Sequence, residues 1–101
     1  MERYRVSPDD IELDAVIELG ANHLSANLDD DLVLLNLSTA RYHVVGGAGN
    51  RIMALISRPI SVRELCDRLM EQCDVTADTC QREVLDFVRE LVRQGIAAAR
   101  P

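Results

Sequence analysis

Three cysteines, Cys66, Cys73 and Cys80, recur every seven residues, and the chain holds two histidines, His23 and His43. These residue types ligate zinc or supply a nucleophile and its base. A thiolate zinc site draws on close pairs such as C-x-x-C, and the chain has none. Cys66 and Cys80 fall on apolar helix stripes, where cysteine reads as a small buried hydrophobe. Both histidines lie in or beside strand-forming runs, and nothing marks a paired acid and base. Asp29-Asp30-Asp31 could meet a hard cation, yet no further oxygen ligand or glycine follows at calcium-loop spacing, so the run reads as a solvated turn. Gly46-Gly47-Ala48-Gly49 could wrap an anion in backbone amides, but it lacks the lysine of a P-loop and the spacing of a dinucleotide fingerprint. A strand-to-helix corner is the simpler account. The expectation is a chain that is not an enzyme, with no catalytic residue, no metal and no cofactor.

The elements that carry these residues must fit in 101 residues, which is one domain. A hydrophobic fraction of 48% with 28% charged residues is globular composition. Aromatics make up only 3% (Tyr4, Tyr42 and Phe87), so the core is aliphatic and base-stacking platforms are excluded. All eleven positive charges are arginine, and the net charge is −6. Residues 1–38 set two arginines against nine carboxylates, whereas residues 39–101 are close to neutral. An acidic chain does not draw in phosphate backbones through its overall field, so no nucleic-acid partner is expected. No apolar run approaches the ~20 residues of a membrane span, and Met1–Arg5 lacks a signal peptide's apolar stretch. No membrane association is therefore expected, and the setting is cytoplasmic with reduced thiols.

Residues 1–20 are polar and weakly patterned, although Ile11, Leu13, Ala15, Ile17 and Leu19 permit a short extended piece. Residues 23–28 form a second, weaker strand candidate. Leu32–Leu37 is a strong one, and Arg41–Val45 follows after the tight connection Ser38-Thr39-Ala40, giving an antiparallel hairpin. Beyond the glycines the period changes to 3.6: Ile52, Leu55 and Ile56 share one helix face. Ser61 with Glu64 forms a capping box for a second helix bearing Val62, Leu65, Cys66 and Leu69. Thr76 caps a third helix reaching Gln94, with Gly95 at the C-terminal cap position. The fold class is α+β and winged-helix-like, a three-stranded antiparallel sheet followed by three helices. Residues 1–20 are an N-terminal extension with room for partial order, and 21–97 form the domain. A winged helix would read DNA through the third helix, but there Arg82, Arg89 and Arg93 are offset by Asp78, Glu83, Asp86 and Glu90.

On the third helix, Val84, Phe87, Val88 and Leu91 make a stripe sufficient to bury it. Leu85 and Val92, with Gln81, lie about 60–100° round the helix on a second stripe. A wider core explains that stripe; so does a groove wall covered by a partner. Arg41–Val45, short and followed by glycines, reads as a sheet edge, open to an added peptide strand or covered by the chain's own N-terminal segment.

The runs LVLLNLSTARYHVV, GNRIMALI, ISVRELCDRLMEQCDV and CQREVLDFVRELVRQGI resemble the PqqD-like family of RiPP recognition elements, over roughly residues 22–97. Asn36 and Ala40 stand where that family usually has Asp and Gly, and Val45-Gly46-Gly47 stands where it usually has Leu-Asn after the third strand. The resemblance implies a protein that binds the leader part of a ribosomal precursor peptide. The leader adds as a strand beside the third strand, against the third helix. By position the contacts are Arg41, Tyr42, His43, Val44 and Val45 on the strand, and Gln81, Leu85, Val88, Arg89 and Val92 on the helix. The hairpin is more similar to the stand-alone lasso-peptide type than to the pyrroloquinoline quinone type. A lasso role implies two further partners, a separate cysteine-protease-type leader peptidase and an ATP-dependent cyclase. The alternatives are a peptide chaperone of pyrroloquinoline quinone or another RiPP pathway, and a winged-helix DNA binder.

Overall fold

A computed structural model describes residues 6–46 and 48–101; Met1–Arg5 and Gly47, and with Gly47 part of the glycine run, lie outside the described residues. The aliphatic run forms strand β3 (Asp31–Asn36), the centre of an antiparallel sheet between β2 (His23–Leu28) and β4 (Arg41–Gly46). Leu24, Leu35 and Tyr42 pair across it in one row, and Ala26, Val33 and Val44 in the next. Leu32 and Leu34 point into the core, at 7% and 0% exposure.

The β3–β4 connection is built around Asn36, which is buried. Its Oδ1 accepts from the Ser38 and Thr39 amides at 2.9 and 3.3 Å. Its Nδ2 donates to the Gln94 carbonyl, tying the hairpin to the end of the third helix. Ala40 closes the turn in left-handed conformation, with φ of 59°.

Helix α1 spans Ala48–Leu55, α2 Val62–Gln72 and α3 Ala77–Arg93. The Glu64 amide donates to Ser61 Oγ at the start of α2, and the Thr79 amide to Thr76 Oγ1 at the start of α3. These hydroxyls satisfy amides that the first helical turn leaves open. Gly95, with φ of 75°, turns the chain out of α3.

The fold is α+β, as the sequence indicates, but it holds a second sheet that the patterning does not reveal. β1 (Val16–Leu19) lies between β5 (Ile60–Ser61) and β6 (Ala97–Arg100), all antiparallel. β6 reads Ala-Ala-Ala-Arg, without a single strong strand former, and β5 has two residues. Tertiary pairing, not local propensity, makes these strands. Ile11, Ile17, Ala97 and Ala99 are buried in the same core as Leu34, Ile56, Leu65, Val84 and Val88. No helix among the described residues is long and apolar enough to cross a membrane.

Candidate functional site

β4 is an edge of its sheet. Its side chains alternate: His43 is half-buried and Val45 buried on the inner face, while Tyr42 and Val44 stand on the outer face at 70% and 64% exposure. Arg41 is exposed at the strand's start.

Three features relate β4 and its hairpin turn to α3, in opposite chain order. At one end Val45, Gly49 and Phe87 meet: a Cβ on Gly49 would collide with Val45 and lie 3.1 Å from Phe87 Cε1. Only glycine permits this approach of α1 to the strand and α3. Next along, His43 lies near enough to Glu90 to act on its charge. The Glu90 carboxyl is held below its ordinary range chiefly by a hydrogen bond from Gln94, with Arg93 and the nearby His43 adding to it. At the far end Asn36 reaches the Gln94 carbonyl. His43 Nε2 is buried with no hydrogen-bond partner. An extended peptide added to β4 would therefore gain main-chain bonds along the strand and side-chain contacts with Phe87 and Glu90.

The five strand residues named from the sequence thus line one edge, but the five helix residues do not join them on one wall. Val88 is fully buried and belongs to the core. The Arg89 guanidinium donates to the Ile11 carbonyl at 2.8 Å, and its Nε is buried without a partner. Val92 lines a cavity of about 330 Å³ with Val6, Ala97 and Ala99. Leu85 and Gln81, both half-buried, share this flank by helical spacing. That side of α3 faces the N-terminal segment, whose Pro8–Asp10 turn lies against α3 and whose Asp9 pairs with Arg93 at 3.0 Å. Phe87 and Glu90 were missed as wall residues because a helical wheel gives angles, not what covers each angle. The available signal was Phe87 itself, about 60° off Val84 on the side away from Leu85.

The other chemistry-bearing residues lie elsewhere. Cys66 and Cys80 are buried between α2 and α3. Burial pushes the Cys66 thiol up to about 12 and raises that of Cys80. Cys73 is half-buried, with Arg51 Nη1 at 2.7 Å from its sulfur. Among the described residues no group of three His, Cys, Asp or Glu side chains could hold a metal. On the third helix Arg89 and Arg93 are engaged by the chain's own N-terminal segment, and Arg82 is exposed next to Glu83.

Comparison with solved structures finds TbiB1 in complex with the TbiA(beta) leader peptide. It superposes with a TM-score of 0.73 at 29% identity, over 79% of this chain and 93% of that one. A lasso peptide synthetase B1 complexed with its leader peptide superposes with a TM-score of 0.71 at 20% identity, over 80% and 95%, and supports the fold. No curated protein matches the chain. The family described as coenzyme PQQ synthesis protein D (PqqD) matches residues 31–97, from the start of β3 through α3 to the first residue of β6, and the chain belongs to that family.

Proposed function

We propose that this protein captures the leader segment of a ribosomal precursor peptide as an added strand beside β4 and presents it to a separate cysteine-protease-type leader peptidase in lasso peptide biosynthesis. The protein is non-catalytic and needs no cofactor. It acts in a cytoplasmic setting, ahead of an ATP-dependent cyclase. The observation that carries this reading is the edge of β4, beside which no further strand lies among the described residues, in a chain that superposes on TbiB1 bound to a leader. Arg41–Val45 supply the strand. Phe87 and Glu90 form the helix wall in place of Gln81, Leu85, Val88, Arg89 and Val92.

The family's name favours a second reading, a chaperone for the pyrroloquinoline quinone precursor. TbiB1, bound to a leader peptide, favours leader capture, and the hairpin's resemblance to the stand-alone lasso type favours the lasso reading. Titrating the protein with a lasso-type leader, the pyrroloquinoline quinone precursor peptide and duplex DNA, at two salt concentrations, separates the alternatives. The lasso-type leader should bind with little salt dependence. Steeply salt-dependent DNA binding without peptide binding would overturn the proposal.

A further inference from the structure

β2 is the other edge of the β2-β3-β4 sheet, and no further strand lies beside it among the described residues. Exposed edges are normally blunted by charge, proline, a bulge or a covering segment. β2 reads His-Leu-Ser-Ala-Asn-Leu, with no proline, no glycine and no charged type other than histidine. It pairs with β3 over all six residues without a bulge. All but His23 are exposed, Leu24 at 59% and Leu28 at 61%. The direction of its free main-chain groups follows from the register. The Leu37 amide donates to the Asn22 carbonyl at 3.1 Å, one step beyond the His23–Asn36 pair. In an antiparallel ladder alternate residues bond to the same neighbour, so the even-numbered residues of β2 are bonded to β3. The amides and carbonyls of His23, Ser25 and Asn27 therefore point away from the sheet.

We infer that β2 pairs with β2 of a second copy of this chain, antiparallel about a two-fold axis at Ala26. A continuous sheet keeps its faces, so residues opposite one another must both be even or both odd. The hydrogen-bonded pairs must also be odd, because the free main-chain groups are. With Ala26 opposite itself both conditions hold. Ser25 then exchanges main-chain bonds with Asn27 twice over, and Leu24 meets Leu28 on either side of the axis. A shift of two residues one way sets Leu28 opposite Asn22, and the other way Leu24 opposite Asp30, so this register alone matches leucine to leucine. Charge selects the same arrangement. Asp29, Asp30 and Asp31 follow β2. Antiparallel pairing holds the two Asp29 residues about 20 Å apart, roughly twice the Debye length, and sets each beside a His23 imidazole. On the inward face Ser25 and Asn27 line a cleft of about 230 Å³ with Asn50, so a second β2 meets hydrogen-bonding groups there. The six-stranded sheet that results carries β4 at each outer end and leaves both of those edges open. So short a seam falls below the ~800 Å² per partner of a standard interface, and pairing is weak, with Kd on the order of 100 μM. The inference holds whether or not β4 takes a leader.

Sedimentation equilibrium on the full chain tests it, over concentrations from about tenfold below that Kd to about tenfold above. The parent's mass should rise toward twice that of the monomer. Ala26→Asp and Ala26→Arg each set like charges face to face at the axis. Ser25→Pro removes a free-edge amide and leaves the bonds to β3 intact. Each variant should melt near the parent and pair at least about tenfold more weakly. An equimolar mixture of Ala26→Asp and Ala26→Arg should pair again, because the axis then joins unlike charges. Should Ser25→Pro fail to fold, the two Ala26 variants and their mixture carry the comparison, and should those fail, Ser25→Pro carries it. A parent that stays monomeric at the highest concentration overturns the inference. Folded variants that associate as the parent does overturn it too, since the pairing would lie on another face. A mixture of folded Ala26 variants that does not recover removes Ala26 from the axis and overturns it as well.

Discussion

The two three-stranded sheets of this protein are finished in different ways. In β5-β1-β6 the Val6 amide donates to the Ala99 carbonyl on the outside of β6, and the Val62 and Arg63 amides donate to the Ala15 and Leu13 carbonyls beside β5. Its central residue Ile17 is fully buried. In β2-β3-β4 neither edge strand has a further strand beside it among the described residues, and Leu24, Leu28, Tyr42 and Val44 stand exposed on one face. An open edge invites unwanted pairing and is usually blunted by charge, proline or a covering segment. The N-terminal segment closes one sheet, and among the described residues no strand closes the edges of the other. The closed sheet holds the fold together and the open one meets a partner.

The largest effect expected from this contrast is on stability. Ile17→Ala, at the centre of the closed sheet, should destabilise the protein by about 2–5 kcal/mol. Leu24→Ala, on the open face, should stay within about 0.5 kcal/mol of the parent. Denaturant melting of the two variants measures the difference, and equal losses would mean that the outer face is already packed.

A smaller effect separates the two flanks of α3. Phe87→Ala removes roughly 60–100 Å² of apolar contact with an added leader, worth about 1.5–2.5 kcal/mol, so leader affinity should fall at least about tenfold. Leu85→Asp places an unpaired charge on the flank that faces the N-terminal segment. It should lower stability by about 1–3 kcal/mol and leave the affinity of the folded fraction unchanged. Peptide titration and melting on both variants decide it. A folded Leu85→Asp protein that has lost leader affinity would move the groove to the other flank.

This contrast also shows where the sequence is informative. The hairpin, the caps at Ser61 and Thr76 and the turn at Gly95 were legible because each rests on local chemistry that a few residues carry. The closed sheet was not: Ala97–Arg100 becomes a strand only because Val16–Leu19 pairs with it some eighty residues away in sequence. The strand side of the candidate site was legible for the same local reasons as the hairpin. The helix side was not, since Leu85 and Phe87 are equally apolar and only tertiary packing shows that Phe87 meets Gly49 beside Val45 while Arg89, one turn from Leu85, is held by the Ile11 carbonyl.

The thiols test how firmly the helices beneath the open sheet are packed. Cys73 should react with a thiol reagent in the native protein, whereas Cys66 and Cys80 should react only on unfolding. Cys66 ionises near pH 9.0 when exposed but is pushed up to about 12 by burial in the folded protein. The unfolded chain therefore sheds this proton first as pH rises. The resulting contribution to stability is complete below pH 9 and is lost between pH 9 and about 12. Melting against pH should show that decline, and Cys66→Ala should flatten it.

The smallest effect concerns the turns that end each region. Ala40, at φ of 59°, closes the hairpin of the open sheet, and Gly95, at φ of 75°, opens the path into β6 of the closed one. A Cβ in the left-handed region costs roughly 1–2 kcal/mol, and glycine gives back about 0.4–1 kcal/mol through the freedom of the unfolded chain. Ala40→Gly should therefore stabilise the protein by about 0.5–1 kcal/mol, a rise of roughly 2–8 °C in Tm. Leader affinity should not change, because Asn36 still holds the Ser38 and Thr39 amides and β4 keeps its register. Gly95→Ala should shift Tm the other way by a similar amount. Its new Cβ would lie 3.4 Å from Asn36 Nδ2, a close but tolerable approach, so backbone strain decides the sign. If Ala40→Gly lowered Tm instead, or weakened leader binding, the hairpin turn would be part of the peptide site and the open sheet would extend its function beyond β4.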